Sequence, residues 1–162
     1  MMDNAAFALA LAAPDQPRAA FTALEEMSRD RTGHRLFTLM TLDPAAGLAR
    51  RAWTSMGSAY PVSGAKPIED NDWSRAVLGR RETWVMNTID HIARHFPDHA
   101  LIASLGCGAC LNLPVVVAGS VLGTVNILGP AGHFTAARIA AAESLRLPAA
   151  AAFLIAARKD QP

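Results

Sequence analysis

Two cysteines three positions apart are the most chemically reactive side chains in this sequence. Cys107-Gly108-Ala109-Cys110 has the Cys-x-x-Cys spacing, in which one thiolate can attack an oxidised substrate and the second thiol can resolve the adduct. The spacing favours a lowered thiol pKa when it opens a helix, but here it leads into a predicted strand. The pair could therefore be buried structural thiols, a regulatory disulfide or the catalytic pair of a thiol reductase.

Two histidines could join these cysteines in a metal site. His91 and His95 lie four residues apart on one face of a predicted helix. With Cys107 and Cys110 they have the ligand types of a Cys2His2 zinc centre. Acidic and basic neighbours flank the histidines, however, a pattern typical of a solvated helix face. We therefore predict no metal and no cofactor, with zinc as an alternative.

The predicted strands that flank these residues are connected mainly as hairpins. Asp15 and Pro17 predict the start of a helix that ends at Gly33, and apolar β-branched runs predict most of the strands. No strand–helix–strand alternation recurs, so an α+β fold with a central antiparallel sheet is favoured. The predicted strands are 36–42, 48–56, 83–86, 111–118 and 121–128. The later helices are 73–78, one capped by Thr88, 99–105, and a long one from Phe134-Thr135 to about Arg158 that Pro148 interrupts.

Composition limits the classes of function that the chain can have. Its 162 residues suit one domain, and 51% hydrophobic side chains supply a core. A formal net charge of +1 gives no electrostatic footprint for nucleic acid or an anionic membrane. The apolar run 5–13 lacks the preceding positive charge of a signal peptide, and the longest apolar run, 147–157, is about half of the ~20 residues that span a bilayer. We predict a cytoplasmic protein without a membrane segment.

The C-terminal third carries a family resemblance. The run Asn112-Leu113-Pro114-Val115, the turn glycine Gly119, the run Leu122-Gly123-Thr124-Val125-Asn126-Ile127-Leu128 and the pair Phe134-Thr135 together resemble the closing hairpin and last helix of a GAF domain. The resemblance covers roughly 15–157, leaving 1–14 as a helical extension and 158–162 as a tail. It implies that the N- and C-terminal helices share one face of the sheet. Short helices and loops would close a small-molecule pocket on the other face.

The resemblance also implies a function and a set of site residues. GAF domains mostly sense ligands and pass the signal to attached domains, and no attached domain is evident in this sequence, so we expect a standalone sensor that is not an enzyme. Asn112 and Asn126 are expected on inner strands, where hydrogen bonds to backbone are favoured over ligand contact. Trp53 and Trp73 could equally be core residues. The predicted ligand-binding residues are Trp53, Tyr60, Trp73, His99, Cys107, Cys110 and Asn112.

Two better-defined chemistries of the family match the sequence poorly. Cyclic-nucleotide-binding members carry an Asn-Lys pair, whereas Asn126 is followed by Ile127. Phe96-Pro97-Asp98-His99 resembles the Phe-Pro-Gly-His stretch of free methionine-(R)-sulfoxide reductases, but Ala103 and Ser104 stand where those enzymes have a cysteine and an aspartate. A reductase that uses Cys107 and Cys110 from shifted positions is the alternative function.

The last helix has more apolar residues than one sheet can bury. They are Ile139, Leu145, Leu147, Phe153, Leu154 and Ile155, and they spread around more than one helix face. The segment 7–11 could extend the same apolar surface. We therefore predict a homodimer through the first and last helices, with a regulatory protein partner as a further possibility.

Overall fold

The computed structural model describes residues 1–159, so the end of the predicted 158–162 tail lies outside the described residues. The helices are α1 (Asn4–Leu11), α2 (Arg18–Thr32), the single turn α3 (Asp72–Ser74), α4 (Ile89–Ala93), α5 (His99–Ser104), α6 (Ala136–Glu143) and α7 (Arg146–Lys159). The strands are β1 (Leu36–Asp43), β2 (Leu48–Thr54), β3 (Ala65–Pro67), β4 (Trp84–Met86), β5 (Ala109–Val117) and β6 (Ser120–Gly129). A π-helical turn, Arg75–Gly79, continues α3.

The six strands form one antiparallel sheet in the order β3-β2-β1-β6-β5-β4. The predicted α+β class is therefore confirmed. The predicted strands do not include Ala65–Pro67, which the structure adds as a sixth. The three residues form an edge strand that pairs only with β2, and a proline is tolerated on such an edge because its missing N–H costs no ladder hydrogen bond.

The first face of the sheet packs against the long helices. Alternate residues such as Phe37 and Leu39 on β1 and Val125 and Ile127 on β6 join one buried cluster with α2 and α7, as the period of two in a strand requires. Helix α2 ends where Gly33 adopts a left-handed φ of 64°. The extension predicted for residues 1–14 contains α1, which Asp3 caps and Phe7 anchors in the same cluster.

The break in the C-terminal helix differs from the prediction. The chain leaves the helix at Ser144 and Leu145 rather than at Pro148. Pro148 lies in the first turn of α7, where its N–H would have no intrahelical partner. Together α6 and α7 form a segment, 136–158, that is long and apolar enough to cross a membrane by length and composition alone. The core helix of a globular domain passes the same test, and α7 packs against β5 and β6.

The apolar residues of the last helix divide between core and surface. Leu145 and Phe153 are buried against the sheet. Leu147 and Leu154 are 79% and 46% exposed. The last helix therefore has fewer exposed apolar residues than the sequence suggested, but two large apolar side chains remain uncovered.

The second face of the sheet carries a smaller cluster and the short helices. Leu36, Cys110 and Leu128 lie directly across from one another on three neighbouring strands and pack in a cluster that includes Tyr60 and Ile92. This cluster covers one end of the face. Three of its members, Tyr60, Cys110 and Leu128, also line a cavity that extends over the neighbouring part of the face.

Candidate ligand-binding site

A cavity of about 360 Å³ lies between the second face of the sheet and the loops and short helices above it, within the size range typical of small-molecule sites. The sheet supplies its floor from β1, β2, β5 and β6, and segments 66–78 and 95–98 supply its walls. Most of the walls are apolar. The apolar lining residues include Met40, Leu42, Ile68, Trp73, Leu78, Phe96 and Pro97.

A row of polar side chains crosses the cavity floor. Thr38, Asn126 and Asn112 stand opposite one another on β1, β6 and β5, and all three are buried. The Asn112 amide Nδ2 donates to Asn126 Oδ1 at 2.7 Å, and Asn126 Nδ2 donates to Thr38 Oγ1 at 3.2 Å. Such a buried network is rigid because each partner satisfies the next.

Trp73 closes this row from above. Its indole N–H donates to Asn112 Oδ1 at 3.0 Å, and its ring meets Phe96 edge to face at a centroid distance of 6.0 Å. The side chain is held by the start of α3, where Asn71 and Ser74 form a reciprocal capping box. A two-residue cap therefore positions the aromatic wall.

Three polar side chains meet at another part of the cavity lining. The Tyr60 hydroxyl donates to Asp98 Oδ2, and the Arg51 guanidinium lies 3.8 Å above the Tyr60 ring and 3.8 Å from the same carboxylate oxygen. Arg51 also donates to the Pro61 carbonyl at 2.7 Å. Burial, and then the hydrogen bond to Asp98, raise the pKa of Tyr60, so its hydroxyl keeps its proton at neutral pH.

Four of the seven predicted ligand-binding residues line the cavity, namely Tyr60, Trp73, Cys110 and Asn112. The other three lie elsewhere. Trp53 is on the first face of the sheet, where it packs edge to face on Phe21 and donates its indole N–H to Glu25. Trp53 lies in the predicted second strand, but a register shift that skips Ala52 places it opposite Leu39, so its side chain points away from the cavity that Arg51 lines.

His99 and Cys107 also lie outside the cavity lining. His99 turns back on its own helix start, with Nδ1 3.1 Å from the Phe96 carbonyl oxygen. Cys107 is buried in the smaller cluster, close to Leu105 and Cys110. Their neighbours in sequence, Asp98 and Cys110, reach the cavity instead.

The asparagines bond to side chains rather than to backbone, so that part of the sequence interpretation was wrong. The sequence analysis also missed Arg51 and Thr38. Asp98 lies in the Phe96–His99 stretch that the sequence analysis already noted. Thr38 lies two residues from Met40 in a predicted strand, so strand alternation indicates that both side chains point to the same face.

The two thiols lie in surroundings that oppose thiolate chemistry. Both are free and buried. Burial raises the pKa of the Cys110 thiol to about 12 and also raises that of Cys107, where the positive charge of Arg35 opposes it. The thiolate is the nucleophile in sulfoxide or disulfide chemistry, so the reductase alternative gains no support.

We expect both thiols to react slowly with iodoacetamide in the folded protein. At pH 8 the alkylation rate should be lower by about tenfold or more than in the urea-unfolded chain, because burial disfavours the thiolate and blocks access. Peptide mass spectrometry after timed quenching measures each site. Modification of Cys107 or Cys110 at the rate of the unfolded chain would show that an accessible, reactive thiol exists.

The zinc alternative fails on geometry. His91 and His95 pack with each other and with the Trp84 ring, with centroid distances of 5.4–6.1 Å. In residues 1–159, no three His, Cys, Asp or Glu side chains are grouped as a metal ion requires. The histidines and cysteines therefore do not assemble a Cys2His2 centre.

Comparison with known proteins identifies the architecture. The GAF domain family model matches residues 13–153. No curated protein matches the chain. A GAF domain/HD domain protein from Geobacter sulfurreducens superposes with a TM-score of 0.70 at 14% identity, covering 92% of this chain and 99% of that one.

Two further solved structures have the same fold. The GAF domain of a two-component sensor histidine kinase from Bacillus halodurans gives a TM-score of 0.70 at 14% identity, with 88% and 96% of the two chains covered. The GAF domain of a phosphoenolpyruvate-protein phosphotransferase from Coxiella burnetii gives 0.67 at 19% identity, with 97% and 98% covered. At these identities the likeness concerns the fold alone.

Proposed function

The chain belongs to the GAF domain family, and from that premise we propose that it is a small-molecule sensor whose ligand occupies the cavity beside Trp73. GAF domains are generally small-molecule-binding sensor domains, and one solved neighbour comes from a sensor histidine kinase. The proposed protein is cytoplasmic, is not an enzyme, and carries no metal or cofactor. Its ligand contacts Trp73 and Tyr60, which both line the cavity.

The observation that carries this proposal is a hydrogen-bonded row of polar side chains on the floor of a cavity with apolar walls. A cavity of about 360 Å³ with buried, mutually oriented amides on its floor has the composition of a specific binding site, in which apolar walls give affinity and few polar groups give orientation. Burial keeps Cys110, the one thiol in the described lining, protonated at neutral pH, so it does not serve as a thiolate nucleophile.

We propose that the output is a change at a homodimer interface formed by the first and last helices. Leu147 and Leu154 are exposed and seven residues apart on α7, so they form one apolar stripe. Leu9 on α1 is 76% exposed, and α1 contacts α7. The half-buried Ala150 and Ala151 between the two leucines would allow close approach of a second copy or of a regulatory partner.

Native mass spectrometry of gently purified protein tests ligand retention. The wild-type protein should carry extra organic mass. Trp73→Ala should lower its occupancy about tenfold or more, because it removes an aromatic wall and one floor hydrogen bond. Trp53→Phe changes a tryptophan on the opposite face and should retain the mass. Equal retention in the Trp73→Ala protein would place the ligand elsewhere.

The same spectra test the dimer. The wild-type protein and Trp73→Ala should both appear at twice the subunit mass. Leu147→Glu should appear mainly as monomer, because a charge on the stripe would be buried without a partner. Leu101→Glu, at a 41% exposed leucine on α5, is the matched control and should remain dimeric. A Leu147→Glu dimer would exclude this face as the interface.

A further inference from the structure

The hydrogen-bond chain on the cavity floor has a direction, and this direction determines what a ligand must present to it. We propose that the cavity selects an uncharged ligand bearing a carbonyl-type hydrogen-bond acceptor, which binds the Thr38 hydroxyl and the Asn126 amide N–H. This inference rests on the proposed function and specifies the ligand class of the same site.

The direction follows from Trp73. An indole N–H can only donate, so the atom of Asn112 that it meets at 3.0 Å is the carbonyl oxygen Oδ1. The Asn112 amide nitrogen must then point to Asn126, where it meets Oδ1 at 2.7 Å. The Asn126 amide nitrogen in turn points to Thr38 Oγ1. One donor-only group therefore sets the orientation of both amides.

Two donors are left over at the Thr38 end of the row. Asn112 uses both amide hydrogens, on Asn126 and, at 3.6 Å, on the Cys110 sulfur. Asn126 uses one of its two, and Thr38 accepts that bond while keeping its own hydroxyl hydrogen. Within residues 1–159 neither remaining hydrogen has a protein acceptor. Buried donors need partners more strictly than carbonyl oxygens need a second bond, so an acceptor on the ligand completes the row.

The charges around the cavity favour a neutral acceptor over a carboxylate. Among the described lining residues, Arg51 and Lys66 are balanced by Glu69 and Asp98. Arg51 is already engaged by Asp98, the Tyr60 ring and the Pro61 carbonyl. The floor donors themselves are uncharged. Lys66 is exposed on the edge strand β3, which β2 separates from β1, so a carboxylate held by the floor donors would lose its hydration without a cation beside it.

Three shape-matched probes test the inference: acetophenone, α-methylstyrene, in which C=CH2 replaces C=O, and benzoate. Each is titrated into the ¹⁵N-labelled full chain, and dissociation constants are taken from shifts of the Trp73 indole and asparagine amide signals. Acetophenone should bind about fivefold or more tightly than α-methylstyrene, as expected for one net hydrogen bond. Benzoate should bind more weakly than acetophenone.

Variants then identify which residues cause the preference for acetophenone over α-methylstyrene. Thr38→Val removes one of the two free donors and should lower the acetophenone to α-methylstyrene ratio by about twofold or more while the Asn126 N–H still donates, whereas Thr41→Val, on the same strand but the opposite face, should leave it unchanged. Trp73→Phe keeps an aromatic wall but removes the fixed donor, so the ratio should fall here too.

Three other outcomes of the probe titrations would overturn the acceptor preference, the neutral ligand class or both proposals. Equal binding of acetophenone and α-methylstyrene in the wild type would overturn the acceptor inference and leave the proposed function standing. Tightest binding of benzoate would overturn the neutral class. Failure of all three to shift cavity signals would contradict both proposals.

Discussion

Gly123→Ala is expected to prevent the domain from folding stably. A Cβ at this position would lie 2.0 Å from the Met40 carbonyl oxygen and 2.4 Å from Cε1 of Phe153. The first atom is backbone of the paired strand β1, so the clash cannot be relieved by a side-chain rotation. Relief requires separating β1 from β6 and lifting α7, and we expect a loss of about 4 kcal/mol or more in the free energy of unfolding.

Urea unfolding followed by circular dichroism measures this effect. Gly57→Ala is the matched control, since a Cβ there meets nothing within 4 Å and its φ is not left-handed; its free energy of unfolding should stay within about 0.5 kcal/mol of the wild type or rise slightly. A Gly123→Ala protein as stable as Gly57→Ala would mean that β1, β6 and α7 do not meet as described.

Acid is expected to destabilise the protein through His34, which is 7% exposed. Burial first, then the positive charge of Arg29 and the neighbouring His133, lower its pKa from 6.5 to about 4, against the raising effect of Ser28. Nε2 is buried without a hydrogen-bond partner in the described part of the chain. The unfolded chain therefore binds a proton at a higher pH than the folded chain does.

Because the unfolded chain binds this proton more readily, lowering the pH destabilises the folded state. The stabilisation is fully present above about pH 6.5, declines as the pH falls toward 4, and does not decline further below that. A shift of this size corresponds to about 3 kcal/mol. Urea unfolding at pH 7.5, 5.5 and 4.5 should show a steeper loss for the wild type than for His34→Gln, which cannot titrate. Parallel losses in the two proteins would assign the acid sensitivity to other groups.

Local patterns were sufficient to predict most of the fold. Apolar alternation and glycine or proline punctuation gave five of the six strands, because these signals act within a few residues. The edge strand Ala65–Pro67 was missed because three exposed residues show no alternation. The break before α7 was misplaced because proline is compatible with a first helical turn as well as with a helix end.

The candidate site was only partly predictable. Trp73 and Asn112 were identified as single residues, but their hydrogen bond joins positions 39 apart in the sequence. The cluster of Arg51, Tyr60 and Asp98 depends on how the loop after β2 folds over the sheet. Trp53 was wrongly assigned to the pocket, because a β-bulge between Arg51 and Trp53, which no residue pattern marks in the sequence, turns it to the helix side. Such convergence in space is set by tertiary packing, which sequence spacing does not encode directly.

We propose that small molecules bind on the face of the sheet that bears Trp73, and not on the face that bears Trp53. The most direct test is a ¹H–¹⁵N NMR titration of the full chain with acetophenone, in which the indole N–H signals report the two faces separately. We expect a saturable shift of the signal of the Trp73 indole, which donates to Asn112, and no shift of the signal of the Trp53 indole, which donates to Glu25. A static Trp73 signal, or an equal shift of Trp53, would contradict this proposal.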